Sequence, residues 1–134
     1  MDFSLINWLA VVVAGLSAFM VGGIWYSSLL FGDDWLADSK LTNEDVKQGN
    51  KAKIFGFTAV FALVMAANLG IFLADAKTDI VWGATAGFLA GIWTFGAIAT
   101  HSLFELKSWR YIFINGGYSV VSLTLMGAII GLWR

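Results

Sequence analysis

The sequence predicts an all-α integral membrane protein: a bundle of four transmembrane helices in up-down topology, forming one domain over residues 1–134. Three observations carry this reading. Charged residues make up only 13% of the chain and hydrophobic ones 59%, about half the roughly 25% charged share of a soluble domain. The few charges are clustered, so that four long uncharged runs remain between them. The seven Trp fall mainly near the ends of those runs, where membrane proteins place aromatic side chains at the water interfaces.

The runs are Phe3–Gly32, Ile54–Ala74, Ile80–Phe104 and Tyr111–Trp133, of 30, 21, 25 and 23 residues. A hydrocarbon core of about 30 Å takes about 20 helical residues, and a backbone there must satisfy its own hydrogen bonds. Runs of this length are therefore helices. The first run differs from a cleaved leader: it opens Met1-Asp2-Phe3 with no positive segment and exceeds the length of a leader's apolar stretch. It is expected to remain as a span.

Lys and Arg set the direction. Lys40, Lys47, Lys51 and Lys53 lie in or beside the loop 33–53, and Lys107 and Arg110 lie in the third connection, whereas the opposite side holds only Lys77 and Arg134. By the positive-inside rule the first and third loops are cytoplasmic and both termini are outside. Trp8, Trp82 and Trp133 then form an outer belt, with Trp35 and Trp109 in an inner one. The stretch "WYSSLLFGDDW" marks where the first span leaves the bilayer. In the following segment Thr42 stands three residues before Asp45, a capping-box start for a helix running toward the second span, with Gly49 as an interruption. The connections "DAKTD" and "ELKSWR" are so short that spans two to four are expected to pack as a tight antiparallel bundle.

Gly83, Gly87 and Gly91 recur every four residues on the third span, with Ala86 and Ala90 beside them. A stripe of small residues lets a neighbouring helix approach closely. The neighbour is either another span of the same chain or a second copy in a homo-oligomer. Gly127 and Gly131 repeat the spacing on the last span.

His101 and Glu105 stand four apart near the end of the third span and share a face. Counting back from the turn at Lys107–Ser108 brings Asn115 of the last span to the depth of His101, with Tyr118 one turn deeper. Tyr26 of the first span reaches the same layer. Tyr26, His101, Glu105, Asn115 and Tyr118 thus form a candidate inner polar cluster. One reading is a structural His101–Asn115 bond that ties the hairpin; the other is a site for a proton or for a small or lipid-like ligand. One His and one carboxylate are too few for a convincing metal site. Asn7 and Asn68 define a candidate outer polar layer, read first as interhelical bonds that set register and otherwise as a polar vestibule.

Other classes find no support. The net charge of −1 and the absence of a basic cluster argue against a nucleic-acid partner, and the lack of Cys removes disulfides and thiolate chemistry. The acids Asp33, Asp34, Asp38, Glu44 and Asp45 are interleaved with lysines, lack calcium-loop spacing and read as a solvated linker. "GIW" occurs at Gly23–Trp25 and Gly91–Trp93, but the flanking residues do not repeat. No phosphate loop, serine elbow or cofactor motif is present.

Asn7, "WYSSLLFGDDW" and "HSLFELKSWRYIFINGGY" together resemble the small, mainly bacterial membrane proteins grouped as domain of unknown function 1761. Ser28 stands where that family often has Pro. The resemblance covers nearly the whole chain and implies a four-span helical fold without an assigned activity. It points to Asn7, Trp25, Tyr26, Trp35, His101 and Asn115 as the positions a shared site would use.

The leading expectation is a multi-pass, non-enzymatic protein of the bacterial cytoplasmic membrane, a homo-oligomer in a lipid bilayer, binding or passing a small or lipid-like molecule at the inner polar layer. An enzyme acting on a lipid or quinone, with His101 as acid/base oriented by Glu105 or Asn115, is the alternative. An accessory subunit of a larger membrane complex is a third.

Overall fold

The computed structural model describes residues 1–134, which form helices joined by turns and short irregular segments, with no strand. Its six α-helices are α1 (Trp8–Trp25), α2 (Gly32–Ser39), α3 (Asn43–Lys47), α4 (Lys51–Phe72), α5 (Ile80–Phe104) and α6 (Trp109–Leu132), preceded by a 3-10 turn at Phe3–Leu5. Helices α1, α4, α5 and α6 are long and apolar enough to cross a membrane.

Each of these four begins at a side-chain cap. Asn7, Asn50, Asp79 and Ser108 accept hydrogen bonds from the backbone N–H groups of Ala10, Lys53, Trp82 and Tyr111. Each cap satisfies a donor that the helix leaves free, a contribution of about 1 kcal/mol. The caps also fix where the spans start. Asn7 ends the short N-terminal segment, so the first uncharged run of 30 residues yields a helix of only 18, about 27 Å long at 1.5 Å per residue. Its remainder is the segment 3–7 before the helix and the turns at 26–31 after it, with Gly32 opening α2. The capping box expected at Thr42 and Asp45 is present, and α3 stops at Lys47, short of α4.

The expectation of a tight bundle for spans two to four needs correction. α5 and α6 share the largest contact face; α1 packs on both α6 and α4, while α4 and α5 have no extended contact. The order across the molecule is α4, α1, α6, α5. A short turn makes α4 and α5 antiparallel and joins them near Phe72 and Trp82, whose rings lie 6.1 Å apart, but packing drives them to different partners. The reason is residue size. Where α1 meets α4, an added Cβ at Gly15 would come within 2.9 Å of a Leu63 methyl and one at Gly70 within 2.8 Å of a Val11 methyl, with Ala14, Ala18, Ala62 and Ala66 buried in the core these helices share. On α5, added Cβ atoms at Gly83 and Gly87 would strike the carbonyl oxygens of Gly127 and Leu123, and one at Gly91 would come within 2.7 Å of the Val120 Cα. The glycine stripe is therefore turned onto α6 and is not itself a surface for a second copy.

Both termini and the 73–79 turn meet at one end. The Asp2 N–H donates to the Ala74 carbonyl, Asn7 Nδ2 to the Trp133 carbonyl, and Arg134 to the carbonyls of Leu73, Asp75 and Thr78. The opposite end carries α2, α3 and the α5–α6 turn. That turn closes with a Schellman pattern: Leu106 N–H donates to Leu103, Lys107 N–H to Ser102, and Leu106 takes φ 60°.

Candidate functional site

Trp25 and Tyr26 end α1 against the Gly116–Gly117 step of α6. An added Cβ at Gly117 would approach the Trp25 indole to 3.1 Å, while one at Gly116 would collide with the Phe95 ring of α5. With both side chains missing, α6 accepts an aromatic ring on each side. The Trp25 Nε1–H donates to the Ile114 carbonyl at 2.8 Å, the Tyr26 hydroxyl to Asn115 Oδ1 at 2.6 Å, and the Tyr118 hydroxyl to the Ala18 carbonyl at 2.9 Å. Bonds of this kind between spans contribute about 0.6–2 kcal/mol each. Here they fix the positions of two tyrosines.

Those tyrosines wall a cleft of about 420 Å³ between α5, α6 and the end of α1. On α5 the residues Thr94, Ile98, His101 and Glu105 follow one face, and on α6 Tyr111, Asn115 and Tyr118 face them. All five members of the expected inner cluster line this one space, joined by Tyr111. No His101–Asn115 bond is present; the Asn115 Oδ1 accepts from the Tyr26 hydroxyl. The His101 and Glu105 side chains are exposed to the cleft and make no hydrogen bond or ion pair within the chain. No third carboxylate or imidazole joins them.

The outer pair is not brought together. Asn7 caps α1, whereas Asn68 donates to the Val64 carbonyl of its own helix at 2.8 Å. Asn68 instead lines a second, apolar groove of about 610 Å³ between α4 and α5, floored by Leu123 of α6. Met65 and Phe72 form one wall and Trp82, Leu89 and Trp93 the other. Thr94 borders both spaces. Together they follow α5 from Trp82 to Glu105, 23 residues apart, or about 35 Å. Sequence reasoning missed the groove, since it arises from the separation of two helices that loop length makes neighbours.

The sequence reading also missed the latch beside the cleft. Asp34 and Asp38, read as solvated, both face Arg110: its Nε and Nη2 donate to Asp38 at 2.7 Å, and its Nη1 lies 3.4 Å from Asp34. The latch holds α2 on α6 and sets Trp35 edge-on to Tyr26, with ring centroids 5.7 Å apart. The Arg110 hydrogen bonds hold the Asp38 carboxyl below its ordinary value of 3.8. A carboxyl depressed by folding stabilises the protein above the unfolded value and loses that contribution as pH falls through the folded one. Thermal melting of the wild type should therefore show a downward step as pH drops below about 4, shallower in high salt. Asp38→Asn should melt lower at neutral pH and lack the step; identical pH profiles would disprove the latch.

Four membrane-length helices, with a polar cleft and an apolar groove that share Thr94 on α5, define a multi-pass membrane protein. Residues 9–131 match the family described as protein of unknown function DUF1761, and the chain belongs to that family. No curated protein and no solved structure matches the chain.

Proposed function

We propose that this protein is a non-catalytic binder of a lipid-like amphiphile, with the polar head in the cleft at His101 and Glu105 and the apolar tail in the α4–α5 groove. The observation that supports this most is the pair of unengaged groups, His101 and Glu105, in a cleft that meets an apolar groove at Thr94. Both side chains are exposed at the end of α5 and free to engage a polar head. A ligand head supplies the partner that the chain does not. The apolar groove suits the rest of such a molecule, since small-molecule sites are mostly apolar with a few placed polar groups.

The test is native mass spectrometry of protein released gently from membranes. The wild type is expected to retain an amphiphile that His101→Ala loses. The imidazole makes no internal bond, so the variant should fold normally. Ligand-free wild-type spectra, or equal retention by both proteins, would overturn the reading. The same proposal sets the protein in the bacterial cytoplasmic membrane with the cleft toward the cytoplasm, supported by the six Lys and Arg at that end against two at the other. A Ser4→Cys variant should then react with an impermeant thiol reagent on intact cells; reaction only after lysis would reverse the orientation.

A further inference from the structure

Resting on that binding reading, we infer that the head group is a zwitterion: a primary ammonium seated at Glu105 among the three tyrosines, linked to a phosphate diester that lies toward Lys107. Glu105 is the only carboxylate lining the cleft, and no Lys or Arg of the chain pairs with it. An anionic head here would set like charges together, whereas a cation neutralises the carboxylate. Tyr26, Tyr111 and Tyr118, which are all the tyrosines of the chain, line the same space. Aromatic faces attract ammonium groups. One such contact is already present, with Lys107 Nζ 5.4 Å from the Tyr111 ring centroid.

A primary ammonium carries three donors, and the cleft lining offers acceptors that the chain leaves unused. These are the Glu105 carboxylate, a ring nitrogen of His101 and the Tyr111 hydroxyl. A quaternary ammonium has no N–H to satisfy them. At the rim, Arg110 is committed to Asp34 and Asp38, while Lys107 has no carboxylate partner. Its ammonium is the charge that complements a phosphate. The ligand class is therefore an aminophospholipid with the apolar groove holding acyl chain.

The experiment presents purified protein with an equimolar mixture of ethanolamine, choline and glycerol phospholipids of identical acyl chains and reads the bound species by native mass spectrometry. The ethanolamine lipid should be retained over the glycerol lipid by about fivefold or more, and over the choline lipid as well. Glu105→Gln should abolish this preference, and Lys107→Gln should lower retention of both zwitterions. The Glu105 side chain makes no internal bond, so a loss of preference would not reflect unfolding. Equal or greater retention of the glycerol lipid would overturn the head-group assignment and leave the amphiphile reading standing. Equal retention of the choline lipid would overturn the primary ammonium. Absence of every adduct would sink both proposals.

Discussion

Gly87→Ala is expected to separate α5 from α6 and destabilise the protein by on the order of 2–3 kcal/mol, while Gly96→Ala on the same helix is tolerated. The new methyl at Gly87 would strike the Leu123 carbonyl oxygen, with the Leu123 carbonyl carbon at 2.8 Å and the Thr124 Cα at 3.0 Å. All three obstacles are backbone, so no side chain can rotate away and the helices must part. Gly96 has nothing within 4 Å of the same added atom. In lipid the loss is severe for a further reason. Close van der Waals packing, rather than expulsion of water, holds helices together there. Melting of both variants in one detergent checks the contrast, and equal melting temperatures would refute this account of the α5–α6 seam.

Gly32→Ala is expected to cost on the order of 2 kcal/mol and to loosen the cleft wall as well. Gly32 is buried where the chain doubles back after α1: its N–H donates to the Ser27 carbonyl, and Phe31 N–H donates to Trp25. An added Cβ would meet the Tyr26 carbonyl oxygen, with the Ser27 carbonyl carbon and oxygen each at 2.8 Å. Relief requires moving the backbone of Tyr26, whose hydroxyl holds Asn115. The variant should therefore melt lower and also retain less ligand at the temperature where it is still folded. A stable Gly32→Ala protein with wild-type retention would show that the turn does not position Tyr26.

The number of spans was legible because uncharged runs of 21 residues or more leave a backbone few options in lipid. Membership of the inner cleft was legible too, since spacings of three and four place His101 with Glu105, and Asn115 with Tyr118, on single faces. The partners of those faces were not. A helix that is apolar all round carries no polar side to mark its outward face, so the direction of the Gly83, Gly87 and Gly91 stripe awaited the structure. Asn68 looked like an interhelical donor but bonds Val64 on its own helix, an option open to any Asn on a helix surface. Asp38 looked solvated because its partner Arg110 lies 72 positions away in the chain.

Helix α6 touches α5, α1, α2 and α4, and this has a consequence for the order in which the protein is assembled during synthesis. The helix that joins the others is made last. Until it arrives, α1 and α4 have only each other, while the glycine face of α5 and the Trp25 indole wait in lipid. Contacts between α5 and α6 cross a turn of only four residues, Glu105–Ser108, so the pair can close as soon as α6 inserts. The bonds from Trp25 and Tyr26 bridge 89 positions and carry the larger loop-closure cost. The cleft is therefore completed only after α6 is in place, and a chain that stalls before Trp109 holds the α5 wall with His101 and Glu105 but not the α6 wall that faces it.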